Sequence, residues 1–219
     1  MDVPNNAQIK RDFEAMQKIS KAIKKVIVKI GDISIIKEEL APEGLKPLAR
    51  SVSWLVEQIM VQNIRKYKDE LGIEKVEDPP SNVSLYDCSI KFRGESKIYY
   101  LNLKTSSAGA KKTKDDISKA DKLIELYQSD SDYTLFVAVL KVIFKNTHLI
   151  LNHENNLIIF NIAWIPDIYC NPRNNNLQSS EYDQTQFRTN QEFLQQIKAH
   201  YKVSVEKKRN QVSQTTLES

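Results

Sequence analysis

The chain has 219 residues, a formal net charge of +4 and a pI near 8.8. This length predicts one domain with a substantial buried core, and the mildly basic charge is compatible with a nucleic-acid partner but is far from a basic tail. Five glycines form no phosphate-binding loop and three histidines show no ligand spacing, which disfavours ATP-driven chemistry and a histidine-metal nuclease.

The first predicted element is a helix over residues 9–30, which has apolar residues at helical spacing. The lysines on its other face are either a solvated surface or contacts to phosphates or to a second subunit: Lys21, Lys24, Lys25 and Lys29. Pro42, Gly44 and Pro47 then break the chain.

The second predicted helix covers residues 50–64, which also have helical spacing of apolar residues. Glu57 lies inside this apolar stripe. It is either a glutamate at the edge of the helix surface or a functional carboxylate that precedes the next segment in the chain.

Residues 86–105 predict a β-hairpin, because Gly94 and Ser96 separate two runs rich in Ile, Tyr and Phe. Side chains alternate between the faces of a strand, so Asn102 and Lys104 share one face with Tyr100, while their neighbours point into an apolar layer. Asp87, near the start of the first strand, can face both polar residues. Carboxylate and amide oxygens are ligands that a hard divalent cation prefers. The hairpin therefore predicts a metal site built on Asp87 and Asn102, with Lys104 beside it.

The loop after this strand, residues 105–114, contains Lys111, Lys112 and Lys114 among small residues. It is either an ordinary solvated loop or a segment that approaches a DNA backbone.

The second half of the chain predicts two strands and a helix. Residues 132–144 form an apolar run dense enough for a central strand covered on both faces, and residues 157–164 predict another strand. A helix is predicted to begin after a Thr189 N-cap and to extend to about residue 209.

Residues 166–188 predict a long loop rich in amide side chains, which is either a plain surface loop or a functional one. Amides pair with the N6/N7 edge of adenine, and arginine pairs with guanine or phosphate. The candidate base-reading residues are Asn171, Arg173, Asn174, Asn176, Gln178, Gln184, Gln186 and Arg188. This composition favours a target that contains A·T pairs.

The hairpin resembles the PD-(D/E)xK nuclease superfamily, in which an aspartate on one strand is followed by an acid-x-Lys triplet on the next. Asp87 matches the aspartate, and Asn102-Leu103-Lys104 matches the triplet. The order of elements over roughly residues 48–209, with Asn171-Pro172-Arg173 and Phe187-Arg188-Thr189, resembles the blunt-cutting type II restriction endonucleases of the EcoRV, HincII and SwaI group.

The resemblance implies an α/β fold with a mixed central β-sheet flanked by helices, and a Mg²⁺-dependent endonuclease acting on double-stranded DNA as a homodimer. It implies that Asp87 and Asn102 bind the metal, that Lys104 acts on the attacking water, and that Glu57 is an additional ligand or supporting carboxylate. Tyr86 replaces the usual proline, and Asn102 replaces the usual acid. Asn102 is either a native weak ligand or an inactivating replacement.

Two alternatives remain at this stage. One is a DNA repair or structure-specific nuclease of the same superfamily, and the other is a DNA-binding relative without catalytic activity. Cys88 and Cys170 have no CxxC spacing, which favours a reducing cytoplasm and disfavours a zinc site. The polar N-terminus and the shortness of the longest apolar run, near residues 133–144, lead us to expect a cytoplasmic protein with no membrane association.

Overall fold

The computed structural model describes residues 3–40, 49–81, 84–110 and 114–217. It is an α/β fold whose larger sheet mixes parallel and antiparallel strands, as predicted. The described residues contain four α-helices: α1 (Ala7–Ile30), α2 (Ala49–Lys66), α3 (Ala120–Ser129) and α4 (Asn190–Leu217). None of these described helices is both long enough and apolar enough to cross a membrane.

The described strands are numbered in chain order. They are β1 (Ile33–Ser34), β2 (Ile73–Glu77), β3 (Cys88–Phe92), β4 (Ile98–Ser107), β5 (Asp115–Lys119), β6 (Leu135–Lys145), β7 (His148–Ile150), β8 (Leu157–Asn161), β9 (Tyr169–Cys170) and β10 (Asn176–Ser179). Two compact units contain them. The hairpin unit comprises Arg11–Lys111 and Leu135–Asn161, and the small-sheet unit comprises Met1–Lys10, Lys112–Thr134 and Ile162–Ser219.

The sheet of the hairpin unit has the order β1-β7-β6-β4-β3-β2, with β8 paired to β6. The predicted hairpin forms as an antiparallel β3–β4 pair, and Gly94 supplies the positive φ of 77° that its turn requires. β4 then runs parallel to β6. The predicted central strand is confirmed, because β6 has strand neighbours on both sides and six consecutive buried residues at its start.

The core of the hairpin unit lies where α1 and α2 bring their apolar stripes to the buried side chains of the sheet. The buried positions on α1 include Ile19, Ile23 and Ile27, which repeat every four residues, while the lysines predicted for its other face are exposed. On α2, Val56 and Met60 are fully buried and flank Glu57 in sequence. The packing of α2 therefore fixes where Glu57 lies.

The small-sheet unit contains a three-stranded antiparallel sheet of order β5-β10-β9. In the same unit, α3 and α4 pack together, with Tyr127 and Tyr133 beside the fully buried Phe193. The Thr189 N-cap prediction is confirmed: Thr189 and Glu192 form a reciprocal capping box, with the Thr189 hydroxyl 2.8 Å from Glu192 Oε2.

Several boundaries differ from the predicted ones. The strand predicted over residues 157–164 ends at Asn161, which pairs with Phe136 near the first residue of β6, and a 3₁₀ turn over Ile162–Trp164 follows. The segment predicted as a loop over residues 166–188 contains β9 and β10, because β5 supplies a third strand that sequence reading did not identify. α4 continues to Leu217, beyond residue 209. The predicted breakers Pro42, Gly44 and Pro47 lie outside the described residues.

Candidate active site

The β3–β4 pairing brings Asp87 to the edge of β4 beside Asn102. Cys88, the residue after Asp87, pairs with Leu101, the residue before Asn102. The backbone N–H of Asp87 donates to the carbonyl of Leu101 at 2.9 Å, one residue away from the position that the register of β3 with β4 would give, so the ladder shifts by one residue here. The carboxylate Oδ2 of Asp87 accepts from the backbone N–H of Leu103 at 2.6 Å. These bonds hold the carboxylate against β4, between Asn102 and Lys104.

The predicted alternation along β4 is confirmed. Leu101 and Leu103 are buried, whereas Asn102 and Lys104 are only partly buried. The amide nitrogen of Asn102 donates to the carbonyl of Leu85 at 2.7 Å. Because that bond fixes the nitrogen end of the amide, the carbonyl oxygen is the end left to accept a donor or bind a cation.

Glu57 lies in the same electrostatic environment as the hairpin. Burial, and to a smaller extent the negative charge of Asp87, raises the pKa of Glu57 from 4.5 to about 7, although the ammonium of Lys104 opposes the rise. The helix glutamate and the two hairpin residues, separated by 30 to 47 positions in sequence, therefore act on one another's charge.

Burial also raises the pKa of Asp87, and the hydrogen bond from the Leu103 N–H and the charge of Lys104 oppose this rise. The two carboxylates are thus short of compensating positive charge at neutral pH, and Lys104 is the cation that acts on both. Carboxylates in this condition are typical of sites that bind a cation or transfer a proton.

The side-chain oxygens of Glu57, Asp87 and Asn102 are of the chemical type that a hard divalent cation prefers, and they carry one charge fewer than a set with two acids on the hairpin. Glu57 and Asp87 supply carboxylate oxygens, and Asn102 supplies a neutral amide oxygen. Across the part of the chain that the structure describes, no group of three or more His, Cys, Asp or Glu side chains forms a potential metal cluster. This result is expected when an asparagine occupies the third position.

The predicted backbone-binding lysines are described only in part. Lys111 and Lys112 lie outside the described residues. Lys114 is exposed, just before β5, and its ammonium lies 3.7 Å from the centroid of the Tyr169 ring. The cation–π contact holds Lys114 at the surface of the small sheet without removing its charge.

The asparagines of residues 171–176 build a tight turn between β9 and β10. Asn171 Oδ1 accepts from the N–H of Arg173 at 2.9 Å, and Asn174 Oδ1 accepts from the N–H of Asn176 at 3.0 Å. Asn175 has a φ of 57°, in the left-handed region that asparagine tolerates. Part of the amide richness of this segment is therefore turn chemistry, and Arg173 remains exposed at the tip.

Asp116 on β5 is a residue that sequence reading missed. Its carboxylate accepts from the amide nitrogens of Asn174 at 3.3 Å, Asn176 at 2.7 Å and Gln178 at 2.6 Å. The partners lie about sixty positions apart, so no sequence spacing could reveal the contact. The acidic pair Asp115-Asp116 directly before an apolar residue was the available signal.

The last three predicted DNA-binding residues form internal contacts. Arg188 is 6% exposed, and its guanidinium donates to the carbonyls of Ala163 and Ile165. Gln186 Oε1 accepts from Arg188 at 2.6 Å, and the amide of Gln184 donates to Glu181. Arg188 therefore braces the chain after β8 and does not present its guanidinium at the surface, contrary to its predicted role as a base or phosphate contact.

The two cysteines are free thiols, and both are buried. Burial raises the pKa of Cys88 to about 12 and that of Cys170 to about 11, so neither is a reactive thiolate at neutral pH.

The chain matches no protein-family model and no curated protein sequence.

Proposed function

We propose that this protein is a metal-dependent, sequence-specific endonuclease of double-stranded DNA, resembling the type II restriction enzymes of the PD-(D/E)xK superfamily. The observation that carries the proposal is the electrostatic coupling of Glu57, Asp87 and Lys104, residues of a helix and a hairpin, at a hairpin edge that also presents Asn102. An ordinary surface would leave such carboxylates solvated or paired.

In this proposal, Asp87 and Asn102 hold a Mg²⁺ ion, and Glu57 is a further oxygen ligand or a carboxylate that supports the bound water. Bound Mg²⁺ would neutralise charge on the phosphate and lower the pKa of a coordinated water. The ammonium of Lys104 orients the attacking water and stabilises the negative charge that develops on the phosphate oxygens. Hydrolysis joins the water oxygen to phosphorus, breaks one phosphorus–oxygen ester bond, and transfers a proton from the water to the departing oxygen through solvent.

Recognition belongs, in the same proposal, to the small-sheet unit and to Lys111, which directly precedes the Lys112–Thr134 segment of that unit. Lys114, with Lys111 and Lys112, contacts phosphates, and the exposed amides and Arg173 read bases. A palindromic site is cut by two symmetric active sites, so we expect a homodimer on DNA. Sedimentation with and without a cleavable duplex would measure this state.

Incubation of plasmid DNA with the protein and Mg²⁺ tests the activity. We expect a discrete set of fragments, and we expect none from Asp87→Asn. Asp69→Asn is the matched control, because Asp69 is an exposed aspartate of the same unit, paired with Arg93 at the surface. Cleavage by Asp87→Asn at the wild-type rate would remove the proposed site. Cleavage confined to branched DNA would instead identify a structure-specific nuclease.

A catalytically inactive DNA-binding relative is the second candidate, and the neutral Asn102 is the observation that favours it. Asn102→Asp separates the two. If Asn102 is a native ligand, the variant cleaves with an altered divalent-ion requirement, because a third carboxylate increases cation affinity. If the wild type binds DNA but does not cut it, and Asn102→Asp does cut, the natural chain is the inactive relative.

A further inference from the structure

One row of side chains crosses the three strands of the small sheet. Gln178 on β10 pairs with Tyr169 on β9 and with Asp116 on β5. Residues directly opposite one another project from the same face. Leu177 and Ser179, which flank Gln178, are fully buried, so this row lies on the outer face.

Asp116 fixes the orientation of the amides around it. An ionised carboxylate only accepts hydrogen bonds, so each amide must turn its nitrogen toward Asp116 and its oxygen elsewhere. Asn174, Asn176 and Gln178 all do so, at 3.3, 2.7 and 2.6 Å. A free surface amide would sample both orientations.

In two of these amides, the carbonyl oxygen is either hydrogen-bonded or buried within the protein. Asn174 Oδ1 accepts from the backbone of Asn176 in the turn, and Asn176 Oδ1 is buried from solvent. The carbonyl oxygen of Asn174 is therefore committed to the turn, and that of Asn176 is not accessible to a base edge.

Gln178 is in a different position. Its bond to Asp116 uses one of its two N–H groups, and the side chain is partly exposed on the outer face. The other N–H can donate to N7 of adenine, and the carbonyl oxygen can accept from the N6 amino group, which is the bidentate contact of the major groove. Beside Gln178 in the row, the ring of Tyr169 contacts the ammonium of Lys114, which places a positive charge on the same sheet that could contact a phosphate in the proposed complex.

We infer that Gln178 is the base-reading residue of the small sheet, specific for adenine, and that Asp116 is the positioning residue that holds its amide in one orientation. Asn174 stabilises the turn, the side chain of Asn176 links β10 to Asp116 on β5, and neither reads bases. The inference rests on the proposed function. It assigns different roles to amides that the sequence analysis treated alike as candidate base-reading residues. An amide held in advance loses less conformational entropy on binding and rejects a base that presents the opposite donor–acceptor pattern.

The test is selection of bound sequences from a pool of randomised duplexes, with Ca²⁺ in place of Mg²⁺. We expect the wild type to enrich a sequence that contains adenine. Gln178→Ala should lose the preference for adenine at one position of each half-site, by about 10-fold to 100-fold. Asp116→Asn should relax the same position, because an amide can donate to Gln178 Oε1 and so permits the flipped orientation. The matched controls, Gln196→Ala on an exposed face of α4 and Asp115→Asn beside the row, should keep the wild-type preference.

The variant Asn176→Ala distinguishes an effect on base recognition from an effect on stability. We expect it to lower the melting temperature while leaving the enriched sequence unchanged. Loss of preference in Asn176→Ala equal to that in Gln178→Ala would overturn the inference, as would a uniform loss of affinity on all duplexes in Gln178→Ala. In both cases a wild type that enriches and cuts one sequence would leave the proposed function intact. A wild type that enriches no sequence would overturn the proposed specificity and this inference together.

Discussion

Asp87 and Asp167 are both partly buried aspartates, and their pKa values move in opposite directions. Burial raises the pKa of Asp87, and one backbone N–H with one nearby ammonium is too little to reverse the effect. Burial alone would also raise the pKa of Asp167. Hydrogen bonds from the side chains of Ser179 and Ser180 and from the backbone N–H groups of Ser180 and Glu181 lower it below the ordinary value.

The difference separates a carboxylate that maintains the fold from one that is available to a ligand. Asp167 ties the end of β10 to the segment before β9, and its oxygens are saturated with donors. Asp87 and Glu57 lie at the hairpin with few donors. We therefore expect substitutions at the hairpin carboxylates to affect catalysis, and substitution of Asp167 in the small-sheet unit to affect stability.

The largest expected effect is on catalysis. Lys104→Ala should reduce DNA cleavage by on the order of 10²–10³-fold, because it removes the group that stabilises developing phosphate charge. Binding to the target in Ca²⁺ should change little. Lys91→Ala is the control, since Lys91 lies on the adjacent β3 in an exposed ion pair with Glu74. A wild-type cleavage rate in Lys104→Ala would make Lys104 an ordinary strand-edge lysine.

The second effect is on stability. Asp167→Ala should lower the free energy of unfolding at pH 7 by on the order of 2–3 kcal/mol, because four donors lose a charged acceptor. A lowered carboxyl pKa stabilises the fold above the unfolded-state value of 3.8, and this contribution is lost as pH falls through the folded-state pKa. Urea denaturation at pH 7 and pH 3 would measure the change. The control Asp69→Ala loses only an exposed ion pair, so we expect almost no change in its free energy of unfolding.

Glu57→Gln should produce a smaller effect of the opposite sign. The raised pKa means that the unfolded chain loses its proton first, so the wild-type carboxylate reduces stability increasingly between pH 4.5 and about 7 and by a constant amount above. In metal-free buffer at pH 8, the variant should be more stable by on the order of 1–2 kcal/mol once solvent screening is allowed for. Thermal denaturation from pH 4 to 8 measures this, with Glu154→Gln as an exposed control. A constant difference across this pH range would contradict the electrostatic account of Glu57.

The sequence correctly predicted the positions of residues that depend on a periodic or short-range pattern in the chain. The period of two along β4 placed Asn102 and Lys104 on one face, and the period of 3.6 along α2 placed Glu57 in an apolar stripe. The Thr189 cap also depends on residues three apart. These features involve neighbours in the chain, so a single sequence contains them.

What sequence reading could not supply are the partners that folding brings from a distance. Arg188 looked like a DNA contact because arginine favours phosphate and guanine, but two backbone carbonyls more than twenty positions away accept its hydrogen bonds. Asp116 gave no sign that it gathers three amides, since the pairing of β5 with β10 is a long-range event. Amide richness alone could not distinguish turn formation from base reading.

The smallest predicted effect concerns the salt dependence of DNA binding. It tests whether the small-sheet unit contributes to binding and the hairpin to catalysis. Lys114→Ala should weaken binding to target and scrambled duplexes alike, and should flatten the plot of log K against log salt concentration by about one unit of slope, because one phosphate contact releases about 0.9 of a counterion. The loss of its contact with Tyr169 should lower stability by less than about 1 kcal/mol. Filter binding at two salt concentrations measures the slope, and Lys207→Ala on an exposed position of α4 is the control.

A cleavage rate at saturating protein that stays at the wild-type value would assign Lys114 to binding. A fall in that rate with an unchanged slope would remove Lys114 from the phosphate-binding set and assign it to the chemical step.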